Sequence, residues 1–201
     1  RIFFFAASVA MMSGNIEHVI SYWVIFQQFH SAALGGFAVI SHWVPYRAFA
    51  GFSGRLADRF DVRRLIQAGM LLLAGVSIGW GVMFLTHSAA MWKAMLLLAV
   101  HGMAGVIWIP ASQVLIHEIV TIEELPSAVR LTATGRYLAF LIGPAVGGGL
   151  LLAFGPIHGI FINALIYAPM FAWLIMAPYG ARRPGARPAR QGVNGFADIW
   201  S

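Results

Sequence analysis

With 201 residues, 60% of them hydrophobic and only 10% charged, the chain cannot be an ordinary soluble domain, since such domains run at about 45–50% apolar and about 25% charged. Disordered, collagenous and coiled-coil classes fall with it, and the lack of cysteine removes disulfides, thiolate metal sites and thiol nucleophiles together. The formal charge of +6 matters here for where the bases lie along the chain rather than for its sign.

A helix needs about 20 apolar residues to cross the hydrocarbon of a bilayer. Six stretches meet that length: 2–26, 32–54, 65–86, 90–116, 131–154 and 157–178. The breaks at 27–31, 86–89 and 155–156 are tight and hold no Lys or Arg, whereas the breaks that alternate with them carry Arg55, Arg59, Arg63, Arg64, Arg130, Arg182, Arg183, Arg187 and Arg190. The positive-inside rule puts the arginine-bearing side in the cytoplasm, with both ends of the segment there. Lys93 dissents, and its stem is expected to snorkel to the outer interface. A cleaved signal peptide is the rival reading of the first span, but the apolar run resumes from Val19 to Phe26 and completes a crossing.

From Gly180 to Gln191 the composition turns to Arg, Pro, Gly and Ala, and residues 179–201 read as a basic cytoplasmic linker beside lipid headgroups, not as a nucleic-acid site. After Gln191, Phe196, Ile199 and Trp200 recur at helical spacing and hint at an amphipathic helix. The chain opens on Arg1 and closes on Ser201 after this polar run, and is expected to be part of a longer protein.

The join between the second and third spans is the most specific segment. Gly54, Leu56, Ala57, Asp58, Arg59 and Arg63 follow the order G-x-L-A-D-R with a further arginine four residues on. This resembles the loop signature of the major facilitator superfamily, with Asp61 where that family commonly has glycine. In the fifth span Gly143, Pro144, Gly147 and Gly148 are similar to the G-P-x-x-G-G element of proton-driven exporters in the superfamily, although Ala139 replaces the preceding glycine. Small residues four apart let transmembrane helices approach closely, and proline permits a bend. Pro110 in span four and the 125–127 turn before span five add to the likeness with the branch that exports siderophores and drugs.

The resemblance implies an all-α integral membrane protein: six transmembrane helices forming the N-terminal half of a facilitator fold, as two three-helix inverted repeats within residues 1–178. It further implies a C-terminal six-helix half outside this chain, a small-molecule substrate, proton-driven efflux by alternating access, antiport, and a bacterial inner membrane. No enzyme activity, cofactor or metal-ligand set is expected.

Ionisable groups inside spans cost at least about 2.5–3.5 kcal/mol and generally face a cavity or a partner. Glu17 beside His18, Arg47, His101 and Arg136 qualify. Helical spacing puts Gly14, Glu17 and Ser21 on one stripe with Asn15 and His18 alongside. Glu17 is therefore the candidate proton-binding carboxylate, with Arg47, His101 or Arg136 expected to tune its protonation. Two other functions compete: a non-transporting sensor or accessory half-protein, and a six-span serine protease built on the G-x-S-G at 51–54. The protease reading is weakened because Ser53 and His158 fall at opposite ends of their spans.

Overall fold

The computed structural model describes residues 2–49, 55–57 and 59–177. Within them all regular structure is helical: α1 (Ile2–Phe29), α2 (Ala32–Ala48), α3 (Val62–Leu85), α4 (Met91–Ile119), α5 (Leu125–Ile166) and α6 (Ala168–Met176). Four continuous stretches are long and apolar enough to cross a membrane: α1, α3, α4 and the 52 residues from Leu125 to Met176. The outer surface is itself apolar, with Phe5, Trp23, Leu141 and Leu152 all exposed. That is the pattern of helices facing lipid rather than water.

Local chemistry sets the helix ends. α1 stops at His30, whose positive φ of 46° turns the chain, and Ser31 then caps α2 by accepting from the Leu34 amide at 3.3 Å. α2 has 17 described residues, or about 25 Å at 1.5 Å per residue; the rest of the second expected span, 50–54, lies outside the described residues, as does the 179–201 linker. Asp61 caps α3 by accepting from the Arg63 amide at 2.9 Å. Its φ of −61° needs no glycine, which explains how aspartate stands at that position of the loop.

α5 begins at Leu125, six residues before the expected 131, because Pro126 suits a first helical turn. Arg130 thus lies on the helix, donating to Ser127 Oγ at 3.1 Å. The break expected at 155–156 is a sharp bend: Gly155 adopts φ 71° and ψ 174°, a conformation essentially confined to glycine. The last expected span is divided again at Tyr167, since Pro169 lacks the amide that would bond the Leu165 carbonyl.

α1 packs mainly on α5, α3 on α4, α2 on α4 and α3 on α5. Gly143 and Gly147 face α1, where an added Cβ would lie 2.7 Å from Asn15 Cβ and 3.1 Å from Ile16 Cα respectively, whereas Gly148 faces open space. The core falls into two apolar clusters, one around Phe3, Ile66, Met70, Trp108, Leu115 and Met170 and the other around Ile16, Ile20, Trp80, Leu98 and Ile160. Ser13, Ser77, His101 and Asn163 are buried where one cluster gives way to the other along α1, α3, α4 and α5.

Candidate functional site

A polar layer crosses the bundle at that boundary, and Glu17 is its centre. The carboxylate is 1% exposed, and such a group is tolerable only with partners. His101 Nδ1 lies 2.7 Å from Oε1, and Ser77 Oγ donates to Oε2. Ser77 Oγ in turn accepts from Asn163 Nδ2 at 3.1 Å, and Asn163 Oδ1 accepts from Ser13 Oγ at 2.8 Å. With the ring proton of His101 on Nδ1, every donor in this network points toward the acid, so an ionised Glu17, which can only accept, has a donor on each oxygen. A proton placed on Oε1 requires His101 Nδ1 to become an acceptor, which moves the ring proton to Nε2.

His101 also lines a cavity of about 400 Å³ between α1, α2, α4 and α5, together with Asn15, His18, Tyr22, His42, Trp43, Trp108 and Arg136. The close approach of α2 to α4 that forms this wall depends on Gly102, where a Cβ would run into the Ser41 carbonyl oxygen. The stripe read on α1 faces two ways: Glu17 into the polar layer, Gly14, Asn15 and His18 into the cavity. His18 stacks on Tyr22, with ring centroids 5.0 Å apart and planes at 17°.

The residues singled out in the sequence are only partly brought together. Glu17 and His101 are hydrogen-bonded, and Arg136 shares the cavity that His101 lines. Arg47 lies exposed in the last turn of α2 and does not line that cavity, although Trp43 and Tyr46 of the same helix do. In the loop, Ala57 is buried and Leu56 half-buried, while Gly54 and Asp58 lie outside the described residues. Arg63 donates from Nη1 to the Ala177 carbonyl at 2.7 Å and pairs through Nη2 with Asp61 Oδ2 at 3.4 Å. It thereby ties the loop to the C-terminal end of α6, where a cation suits the free carbonyls. Ser53 lies outside the described residues, and His158 is exposed on α5.

Besides Ser13 on α1, three participants were not singled out as site residues: Ser77, Asn163 and His42. Each stands on a different helix from Glu17, and nothing in their local spacing signals the contact. A polar residue isolated in an apolar span was the available clue.

An all-α bundle of apolar, lipid-facing helices around a buried, hydrogen-bonded acid and an adjoining cavity defines the class of multi-pass membrane protein. The family described as Transmembrane secretion effector, of the major facilitator type, matches residues 1–191, and the chain belongs to that family. It is 27% identical over 139 residues to the uncharacterized MFS-type transporter YfiS of Bacillus subtilis (strain 168), covering 68% of this chain and 32% of that protein. To the putative multidrug resistance protein MdtD of Escherichia fergusonii it is 27% identical over 124 residues, 62% of this chain and 25% of the relative. To MdtD of Pectobacterium carotovorum subsp. carotovorum (strain PC1) it is 24% identical over 165 residues, 81% and 33% respectively. The aligned part of the chain thus spans a quarter to a third of each of these relatives.

Proposed function

We propose that this chain supplies the N-terminal half, six transmembrane helices in two inverted three-helix units, of a secondary transporter that expels a small molecule from a bacterial cell across the inner membrane. Family membership and relatives named as multidrug resistance proteins support export. The cavity of about 400 Å³ supports a small-molecule substrate, and a second half elsewhere in the protein completes its wall. Rocking of the two halves about the site gives alternating access. The bases of the arginine-bearing turns favour placing both ends of the segment in the cytoplasm, and the Asp58 loop acts on conformation rather than on substrate.

Glu17, bonded between Ser77 and His101, is the observation that carries proton coupling. His101 reaches both the acid and the cavity, so its two ring nitrogens form a path by which a proton enters or leaves the buried carboxylate. Substrate entering the cavity and a proton on Glu17 then act on one shared imidazole, which is the linkage an antiporter needs.

The test is transport by the intact protein in proteoliposomes under an imposed pH gradient, with ethidium as the probe substrate. Glu17→Gln keeps the shape and deletes the acid. It is expected to abolish gradient-driven movement while leaving ethidium binding within a few-fold. Undiminished gradient-driven transport by the Gln variant would assign coupling to another group.

A further inference from the structure

Three histidines from three helices converge on the cavity: His18 of α1, His42 of α2 and His101 of α4. One ring nitrogen from each lies within 4.8 Å of the others, and the ring centroids are 4.7, 5.5 and 5.8 Å apart. We propose that they form a binding site for a divalent transition-metal ion of the Zn²⁺ and Co²⁺ class, with one coordination position open to the cavity.

Imidazole is the preferred ligand of such ions, and three imidazoles with a free fourth position is an established arrangement for them. Metal–nitrogen bonds of about 2.0–2.1 Å at tetrahedral angles set neighbouring nitrogens about 3.3 Å apart. Binding therefore draws the three nitrogens together from within 4.8 Å to that spacing.

Two further observations point to a ligand. His42 Nδ1 is buried without a hydrogen-bond partner, whereas a buried polar atom ordinarily has one. His101 engages Glu17 through Nδ1, which leaves Nε2 as the nitrogen available to the cavity. A carboxylate holding the far nitrogen of a histidine is the outer shell typical of metal-ligating imidazoles, fixing both ring and tautomer. Gly102 contributes indirectly, because the close passage of α2 across it sets His42 beside His101. Arg136 lines the same cavity and favours a water or an anionic group, not another cation, at the open position.

The inference does not depend on which molecule is exported, since the assay reads binding alone. The intact protein, purified in detergent with its affinity tag removed, is titrated with Co²⁺ and with Zn²⁺ at neutral pH. One Co²⁺ per chain is expected to give the visible absorption of a four-coordinate ion, displaced by Zn²⁺. X-ray absorption of the Zn²⁺ form, which needs no variant, is expected to show three imidazole ligands. His18→Ala or His42→Ala should weaken binding by at least about tenfold, and Glu17→Gln by about 10–100-fold through the outer shell. The exposed turn histidines make controls: His30→Ala and His87→Ala should leave binding unchanged. One imidazole or none in the absorption spectrum, or affinity unmoved by His18→Ala and His42→Ala together, would overturn the site.

Discussion

Replacing Gly147 with leucine is expected to push α5 away from α1, and the same change at Gly149 is not. At Gly147 an added Cβ would lie 3.1 Å from both Ile16 Cα and Val19 Cβ and 3.2 Å from the Ile16 carbonyl oxygen. Carbon atoms pack best at about 3.5–4.0 Å. The helices must therefore part by roughly half an ångström before the three further leucine carbons are placed, and overpacking of this kind costs about 1–3 kcal/mol. Gly149, two residues on, is exposed, and a Cβ there meets nothing within 4 Å. Both variants share the gain of about 0.8–1 kcal/mol for removing glycine from a helix, so their difference isolates the packing. Thermal unfolding of the intact protein in detergent, followed by tryptophan fluorescence, should give Gly147→Leu the lower midpoint, with Gly149→Leu at or above the parent. Equal midpoints for the two variants would refute the close approach of α5 to α1.

Other substitutions probe the rest of the structure. Arg63→Gln removes the guanidinium that donates to the Ala177 carbonyl, and is expected to speed hydrogen exchange of the last turn of α6 by about tenfold, corresponding to roughly 1.5 kcal/mol for a charged hydrogen bond. His87→Gly, at a φ of 49° and exposed, should raise the thermal midpoint slightly, since a left-handed conformation costs a non-glycine residue about 1–2 kcal/mol; a lowered midpoint would mean that the ring makes a contact of its own. Single cysteines at Ser88 and at Gly185, the latter outside the described residues, should label from opposite faces of the membrane, and labelling from one face alone would sink the six-span topology.

The apolar, helical character of the chain is plain from its composition, and so is the stripe carrying Glu17, because both depend on local spacing. Asp61 was harder to read: in the sequence it stands only as a departure from a loop signature, yet it caps α3 with its own carboxylate. Helix ends moved wherever proline chemistry outweighed hydropathy, at Pro126 and at Pro169. The partners of Glu17 stayed hidden for a different reason. Ser77 is 60 residues away in sequence and His101 84, and only the stacking of four helices decides which lone polar residue meets which. His42 shows the same limit, since its place beside His101 follows from a glycine on the opposite helix.

The buried layer of Ser13, Glu17, Ser77, His101 and Asn163 also fixes the alignment of the helices. Apolar side chains exchange neighbours more readily than polar ones, so outside the glycine contacts between α1 and α5 the two oily clusters would sooner accept α1 sliding by a turn, about 5.4 Å. The layer would not, because the slide strands an acid among methyl groups, and an unpaired charge in that setting costs several kcal/mol. It works like the ward of a lock: one depth of insertion fits and its neighbours do not. Drift in the surrounding apolar residues is then cheap, whereas the polar five can change only in concert.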